Sequence, residues 1–244
     1  TVNPRIAIKY ELTPSLVLRA NVGTGFRAPY GFSEDLHLCS GSPRVWKSSN
    51  LKGERAISYN LSADYYAKKY QFSINIFRTN LKDKIQFSPA DDEVKKFGYS
   101  YQWENVDDAY VQGVELGAKA NLFRNFNAGI NWTFNQGKFK HERADWSDPN
   151  DETVKEFPQR LQYAKDSRNI SRFPAMTGDI DLDYTPGTWT FSLTSSLQGR
   201  MFIDYNSEDD GATSKIKKTN TFMIFNCRAA KRFGTCTVYA GAKN

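Results

Sequence analysis

Apolar and polar residues alternate with a period of two through run after run of this chain, and that pattern decides most of what it can fold into. In the first run Ile6, Ile8, Tyr10 and Leu12 share one face, and Ala7, Lys9 and Glu11 share the other. After Thr13-Pro14, the residues Leu16, Leu18, Ala20 and Val22 oppose Arg19, Asn21, Gly23 and Gly25. The same rhythm returns at Ile57–Tyr65, Phe72–Ile76, Val114–Ala120, Phe126–Phe134, Ile180–Tyr184 and Trp189–Leu197, and twice more near the C-terminus. Sustained alternation is the signature of strands with one face in each of two environments. It predicts ten strands and no helix-period segment between them.

The connections sort into two kinds. Short turns fall near residues 13, 68, 124, 186 and 234, and long polar loops cover 28–53, 88–100, 140–172 and 203–219. A soluble sandwich has no reason to place every long loop at one end of its strands. Outer-membrane barrels do, with short periplasmic turns and long extracellular loops. The strands also run past the five or six residues or so usual in globular proteins. Charges such as Arg19, Glu115, Lys119, Asp179, Asp181 and Asp183 sit along the polar face, where a hydrated interior would accept them. The aromatics Tyr10, Tyr59, Tyr65, Tyr70, Phe72, Trp132, Phe134, Tyr184 and Trp189 gather near strand ends on the apolar face, as interfacial girdles do. The expected fold is therefore all-β, an antiparallel transmembrane β-barrel.

Mean hydropathy is −0.63, which taken alone points to a soluble protein. A barrel escapes that inference because only every second residue faces lipid. No apolar run reaches the roughly 18 residues of a transmembrane helix. The net charge of +6 comes without a block of like charges or a nucleic-acid motif, so nucleic acid is not an expected partner. Three cysteines, Cys39, Cys227 and Cys236, form no C-x-x-C pair, which argues against a zinc or redox motif. Cys227 and Cys236 fall on neighbouring strands, and a disulfide between them is open but not favoured. Both ends of the sequence read as cut from a longer chain, and no signal peptide is evident.

One long connection stands out. Residues 23–54 read GTGFRAPYGFSEDLHLCSGSPRVWKSSNLKGE, and loops of this length inside a compact domain are usually functional. Gly25-Phe26-Arg27-Ala28-Pro29, followed by Asn50-Leu51-Lys52 and Glu54, resembles the G-[FY]-[RK]-A-P and N-P-x-L-K-P-E segments of TonB-dependent outer-membrane receptors. Gly53 stands where that family usually has proline, and no Asn-Pro precedes Leu51. Tyr101–Val106 with Val111-Gln112-Gly113-Val114-Glu115 looks like the family's Y-x-N-x-x-x-a-x-x-x-G-x-E segment. Val238–Asn244 looks like the strand before its N-L-F-D turn. The resemblance runs through the whole chain.

It implies about ten strands of a plugged barrel of roughly 22, in one domain over 1–244, incomplete at both ends and without the plug. It also implies a receptor that binds a scarce ligand (iron–siderophore, haem, cobalamin or similar) at extracellular loops of the bacterial outer membrane. Import would draw on energy from TonB, contacted through the missing plug region. The partners implied are TonB, the small-molecule or metal-chelate ligand, outer-membrane lipid and lipopolysaccharide, and a surface lipoprotein. No cofactor is expected. A passive porin or an uncoupled surface binding barrel is the alternative.

Candidate ligand-binding residues lie in the loops. Glu34, Asp35, His37, Arg44 and Trp46 belong to the first loop, Tyr99 and Trp103 to the mouth of the next strand, and His141 and Trp146 to the charged loop. Aromatics with a few polar groups suit a concave site. A solvated loop bonded to itself, or girdle aromatics, would use the same residues, and whether a metal is bound stays open. Arg19, Arg27 and Arg200 face the interior by parity, ready for plug carboxylates or an anionic ligand. Asp179, Asp181 and Asp183 would form an acidic ladder on the interior wall. The only histidines, His37 and His141, lack a partner motif for hydrolysis, so an enzyme is not expected.

Overall fold

In a computed structural model, which describes residues 2–29, 45–47, 50–99, 101–207 and 213–244, ten long strands pair in one antiparallel meander. They are β1 (Arg5–Thr13), β2 (Leu16–Arg27), β4 (Glu54–Tyr66), β5 (Tyr70–Pro89), β6 (Tyr101–Phe123), β7 (Phe126–Phe139), β8 (Met176–Tyr184), β9 (Trp189–Gln198), β12 (Phe222–Phe233) and β13 (Cys236–Lys243). Each pairs with its neighbour in that order, and β1 and β13 are the two edges of a sheet that does not close. Three short strands belong to the long loops. β3 (Val45–Lys47) pairs parallel to the start of β6, and β10 (Phe202–Ser207) pairs with β11 (Thr213–Lys218) as a separate hairpin.

The loops also contain helical turns that alternation did not signal: α1 (Asp92–Lys95), α2 (Ala144–Ser147), α3 (Glu152–Glu156) and a kinked 3-10 helix over Pro158–Asp166. Each is too short for a periodic apolar stripe, which is why the sequence pattern is silent about them. α3 is fixed by its cap, where the Asp151 carboxylate accepts the Thr153 N–H at 2.9 Å.

Register carries the alternation across the sheet. Ile8, Ala20, Leu61, Ile76, Val114 and Phe134 form one continuous row through successive strand pairs. Ala63, Ile74, Leu116 and Trp132 form the row below it. This apolar face is uncovered, with Leu61 57% and Ile76 51% exposed. A water-soluble protein would bury such a face under a second layer. From Ile57 to Tyr65 the strand rises about 26 Å at about 3.3 Å per residue, or about 20 Å once tilted, close to the roughly 25 Å apolar band of an outer-membrane barrel.

Two glycines show what the sheet asks of its backbone. Gly234, in the turn joining β12 and β13, has φ of +58°, a conformation a side chain would strain. At Gly113 an added Cβ would lie 2.3 Å from the Phe134 carbonyl oxygen and 2.7 Å from the Phe77 ring. The ring packs where a side chain at 113 would otherwise stand.

Candidate functional site

The buried hydrophobic residues lie mostly above the apolar band, not beneath the sheet. Ile85, Trp103, Ala109, Phe139, Trp146, Val154, Phe202 and Ile216 are all at most 5% exposed, and all belong to the long-loop end. There β5 and β6 extend far past their shorter neighbours and give the loops something to fold against.

The first loop returns along that extension. β3 pairs Val45, Trp46 and Lys47 with Tyr101, Gln102 and Trp103. Asn105 then brackets the descending chain. Its Oδ1 accepts the Lys52 N–H at 2.8 Å, and its Nδ2 donates to the carbonyls of Lys52 and Asp83 at 3.0 and 2.7 Å. Glu54 accepts the Ile85 N–H at 2.9 Å and stands 4.0 Å from Arg27. Two candidates meet as a result, Trp46 and Tyr99, whose rings touch edge-on at 5.1 Å. Trp46 remains 36% exposed and Tyr99 half-buried, so the pair presents an aromatic surface at the rim. Trp103 does not join it. At 3% exposure it is a core residue and neither a girdle nor a surface aromatic. Glu34, Asp35, His37, Cys39 and Arg44 lie outside the described residues.

The charged loop folds around the second tryptophan. Trp146 is fully buried and packs edge-on against Phe202 at 5.4 Å, with Ile216 and Tyr163 completing the cluster. Its ring belongs to the core of the loop assembly, and a ligand at the surface cannot touch it as placed. Beside it the Arg143 guanidinium lies 4.8 Å from the Trp146 ring and grips Asp145 with two bonds, 3.0 and 2.6 Å. Arg160, 8% exposed, adds a third bond to the same carboxylate at 3.1 Å. Sequence reasoning passed over Arg143, Asp145 and Arg160, because nothing local distinguishes them from solvated loop charges.

His141 is 71% exposed at its side chain and sits by Asp107, which accepts its backbone N–H at 2.8 Å and faces its Nδ1 at 3.1 Å. Asp107 stands in the part of β6 above the apolar band. Partial burial opposes its charge, but the hydrogen bonds from the His141 backbone and ring and from the Asp108 N–H outweigh that and lower its pKa.

On the polar face, Arg19 pairs with Asp64 of the adjacent strand, and Arg27 approaches Glu54, so wall carboxylates stand beside both cations. Asp179 accepts from the Ser196 hydroxyl at 2.8 Å and Asp183 from that of Ser192 at 2.6 Å. Asp181 lies between them on the same face, and Arg200 is exposed beyond the end of β9. Among the described residues no group of three or more His, Cys, Asp or Glu is placed to hold a metal. Cys227 lies opposite Ala242 and Cys236 opposite Phe233, six positions apart along β13, and both thiols are free.

Aromatic rings cluster near the short turns. Tyr70 stacks with Phe72, Phe123 with Phe126, and Tyr184 contacts Phe126 and Phe191 at 6.2 and 6.5 Å. Trp189 stacks on Phe191 at 5.7 Å, and the Lys231 ammonium lies 4.8 Å from the Trp189 ring. A single antiparallel sheet with one face apolar and uncovered, the other polar, and an aromatic border is the wall of a transmembrane β-barrel.

The comparisons with known proteins go one step further. The family model described as TonB dependent receptor-like, beta-barrel, matches residues 1–244, and the chain belongs to that family. Among curated relatives, the vitamin B12 transporter BtuB of Photobacterium profundum is 33% identical over 116 residues, which cover 47% of this chain and 17% of that one. The ferric enterobactin receptor of Pseudomonas aeruginosa is 27% identical over 151 residues, covering 54% and 20%. The chain thus spans about a fifth of the length of these relatives. Among solved structures, the copper transporter OprC superposes with a TM-score of 0.67 at 20% identity, over 98% of this chain and 33% of that one. The siderophore receptor PirA from Pseudomonas aeruginosa gives 0.66 at 17%, over 99% and 38%. These structures share the fold. No helix among the described residues is long and apolar enough to cross a membrane.

Proposed function

We propose that this chain forms barrel wall and ligand-receiving loops of an outer-membrane active transporter, which takes a scarce metal chelate, haem or corrinoid at the cell surface and admits it with energy from TonB. The observation that carries the reading is the family match over the entire chain, joined by relatives named for vitamin B12 transport and for ferric enterobactin. The loop end supplies a fitting surface. The Trp46–Tyr99 pair offers an aromatic face, Asp107 of β6 and His141 of the charged loop offer polar groups at the same long-loop end, and Glu34, Asp35, His37 and Arg44 belong to the first loop. Arg19, Arg27, Arg200 and the Asp179–Asp181–Asp183 ladder line the interior, where a plug would contact them. A surface lipoprotein would meet the same loops.

The test is growth of a deletion strain on iron–siderophore, haem or cobalamin as the sole source, with and without TonB. A defect on one source that TonB loss reproduces is the expected result. Normal growth on all of them defeats nutrient uptake. A defect independent of TonB favours the passive barrel.

A further inference from the structure

The descending limb of the first loop rests on a break in the sheet. Above the apolar band the register of β5 against β6 slips twice, so that Leu81 stands opposite Ala109, Lys84 opposite Asp107 and Ile85 opposite Asn105. The bulge this makes in β5 contains Asp83, whose φ is +55°. That left-handed backbone costs an L-residue free energy unless its surroundings hold it. Two side chains of β6 do so. The Asp108 carboxylate accepts the Asp83 N–H at 3.1 Å, and the Asn105 Nδ2 donates to the Asp83 carbonyl at 2.7 Å.

The rest of the Asn105 amide goes to Lys52. Nδ2 also donates to the Lys52 carbonyl at 3.0 Å, and Oδ1 accepts the Lys52 N–H at 2.8 Å. The side chain thus exchanges both bonds with Lys52, as an opposing residue in an antiparallel pair would. Two donors and an acceptor are engaged, a set that no other side chain of this length offers. All the bonds to Lys52 run to its backbone, and its own side chain is exposed. The limb is gripped again on either side. Glu54 accepts the Ile85 N–H just past the bulge. A Cβ at Gly53 would lie 2.3 Å from the Phe26 ring, which fills that place. β3 pairs with Tyr101, Gln102 and Trp103, shortly before Asn105 in the same strand.

We propose that Asn105 is a positioning residue for ligand capture. Its one amide latches the first loop to the strained bulge at Asp83, so that Trp46 of that loop and Tyr99 of the β5–β6 hairpin stand as a single receiving surface. The bulge sets where the Asp83 carbonyl points, the amide carries that position to Lys52, and the loop follows. A displacement of the first loop or of the hairpin is thereby passed to the other through bonded groups that touch in sequence. The inference rests on the loop end as the place where ligand is received, the reading given above. The latch itself is measured without ligand, so the two fail separately.

The test is hydrogen exchange read by mass spectrometry on the full-length receptor in detergent, with heat-modifiable gel mobility reporting that the barrel is folded. Asn105→Ala should speed exchange in peptides covering 45–54 about tenfold, as loss of several hydrogen bonds at once does. Lys52→Ala should change nothing, because the latch does not use that side chain. Asp108→Ala releases the bulge without touching Lys52. It should speed exchange in the same peptides by a smaller factor, about threefold, and add nothing in the Asn105→Ala background. Gly113→Ala, which strains the wall below, should leave 45–54 unchanged. Asn105→Leu removes the same bonds at nearly the same volume and carries the test if Asn105→Ala does not fold. Uptake is then measured in the deletion strain with cyanocobalamin, ferric enterobactin or haemin, whichever that strain fails to use. Asn105→Ala should raise the half-saturating concentration about tenfold, as loss of preorganisation does, with the maximal rate retained. Unchanged exchange in 45–54, an equal effect of Lys52→Ala, multiplying effects of the Asn105 and Asp108 substitutions, or unchanged half-saturation overturns the proposal.

Discussion

The two ends of this sheet obey different rules. Toward the short turns, structure is local: each strand meets its neighbour through a tight turn, and the aromatics of one strand end stack on those of the next, as Trp189 does on Phe191 and Phe123 on Phe126. Toward the long loops it is not. Trp146 packs on Phe202 and Ile216, which arrive from a different loop, and Trp46 reaches β6 through a parallel pairing that skips two strands. The lipid-facing band gains its stability from the bilayer and the strand ladder, while the loop end needs a hydrophobic core of its own.

That contrast can be broken. Trp146→Ala should destabilise the loop assembly by about 3–5 kcal/mol. Limited proteolysis within residues 140–172 should accelerate while heat-modifiable mobility of the barrel is retained. If the barrel melts with it, the two ends are one cooperative unit. Gly113→Ala attacks the other end of the contrast. A Cβ placed 2.3 Å from a backbone oxygen forces β6 from β7, at a cost of about 1–3 kcal/mol. The yield of folded barrel should fall, with the proteolytic pattern of the surviving loops unchanged.

Arg19→Ala removes a partly exposed pair with Asp64 (40% and 15% side-chain exposure), so the unfolding free energy from denaturant titration should fall by no more than about 0.5 kcal/mol. A larger shift would mean that the interior wall is less hydrated than its polar face suggests. The smallest effect concerns acidity at the loop end. The Asp107 pKa is lowered in the folded state, so the stability it contributes is complete above its ordinary value and fades as pH falls through the folded one. Protection of the His141 segment from protease should weaken below about pH 4. In Asp107→Asn that pH dependence should vanish.

The same division explains what the sequence disclosed. Ile57–Tyr65 and Val114–Ala120 announce their faces because lipid and lumen impose a period of two on every strand. The ten long strands, their turns and the side of each loop follow from that. Trp146 and Trp103 read as surface aromatics because their burial depends on Phe202, Ile216 and β3, partners no window around them contains. Arg143, Asp145 and Arg160 went unnoticed for the same reason. Trp46 and Tyr99 meet for the same kind of reason, because the parallel strand that brings them together carries no alternation to reveal it.

The core around Trp146 has a mechanical consequence. It is assembled from the loop after β7 and the hairpin that rises from β9, so two stalks on the rim end in one body. Neither stalk can swing outward alone without opening that core to water. Motion at this side of the mouth is therefore that of a single hinged panel, and a force applied to either loop is felt at the base of both.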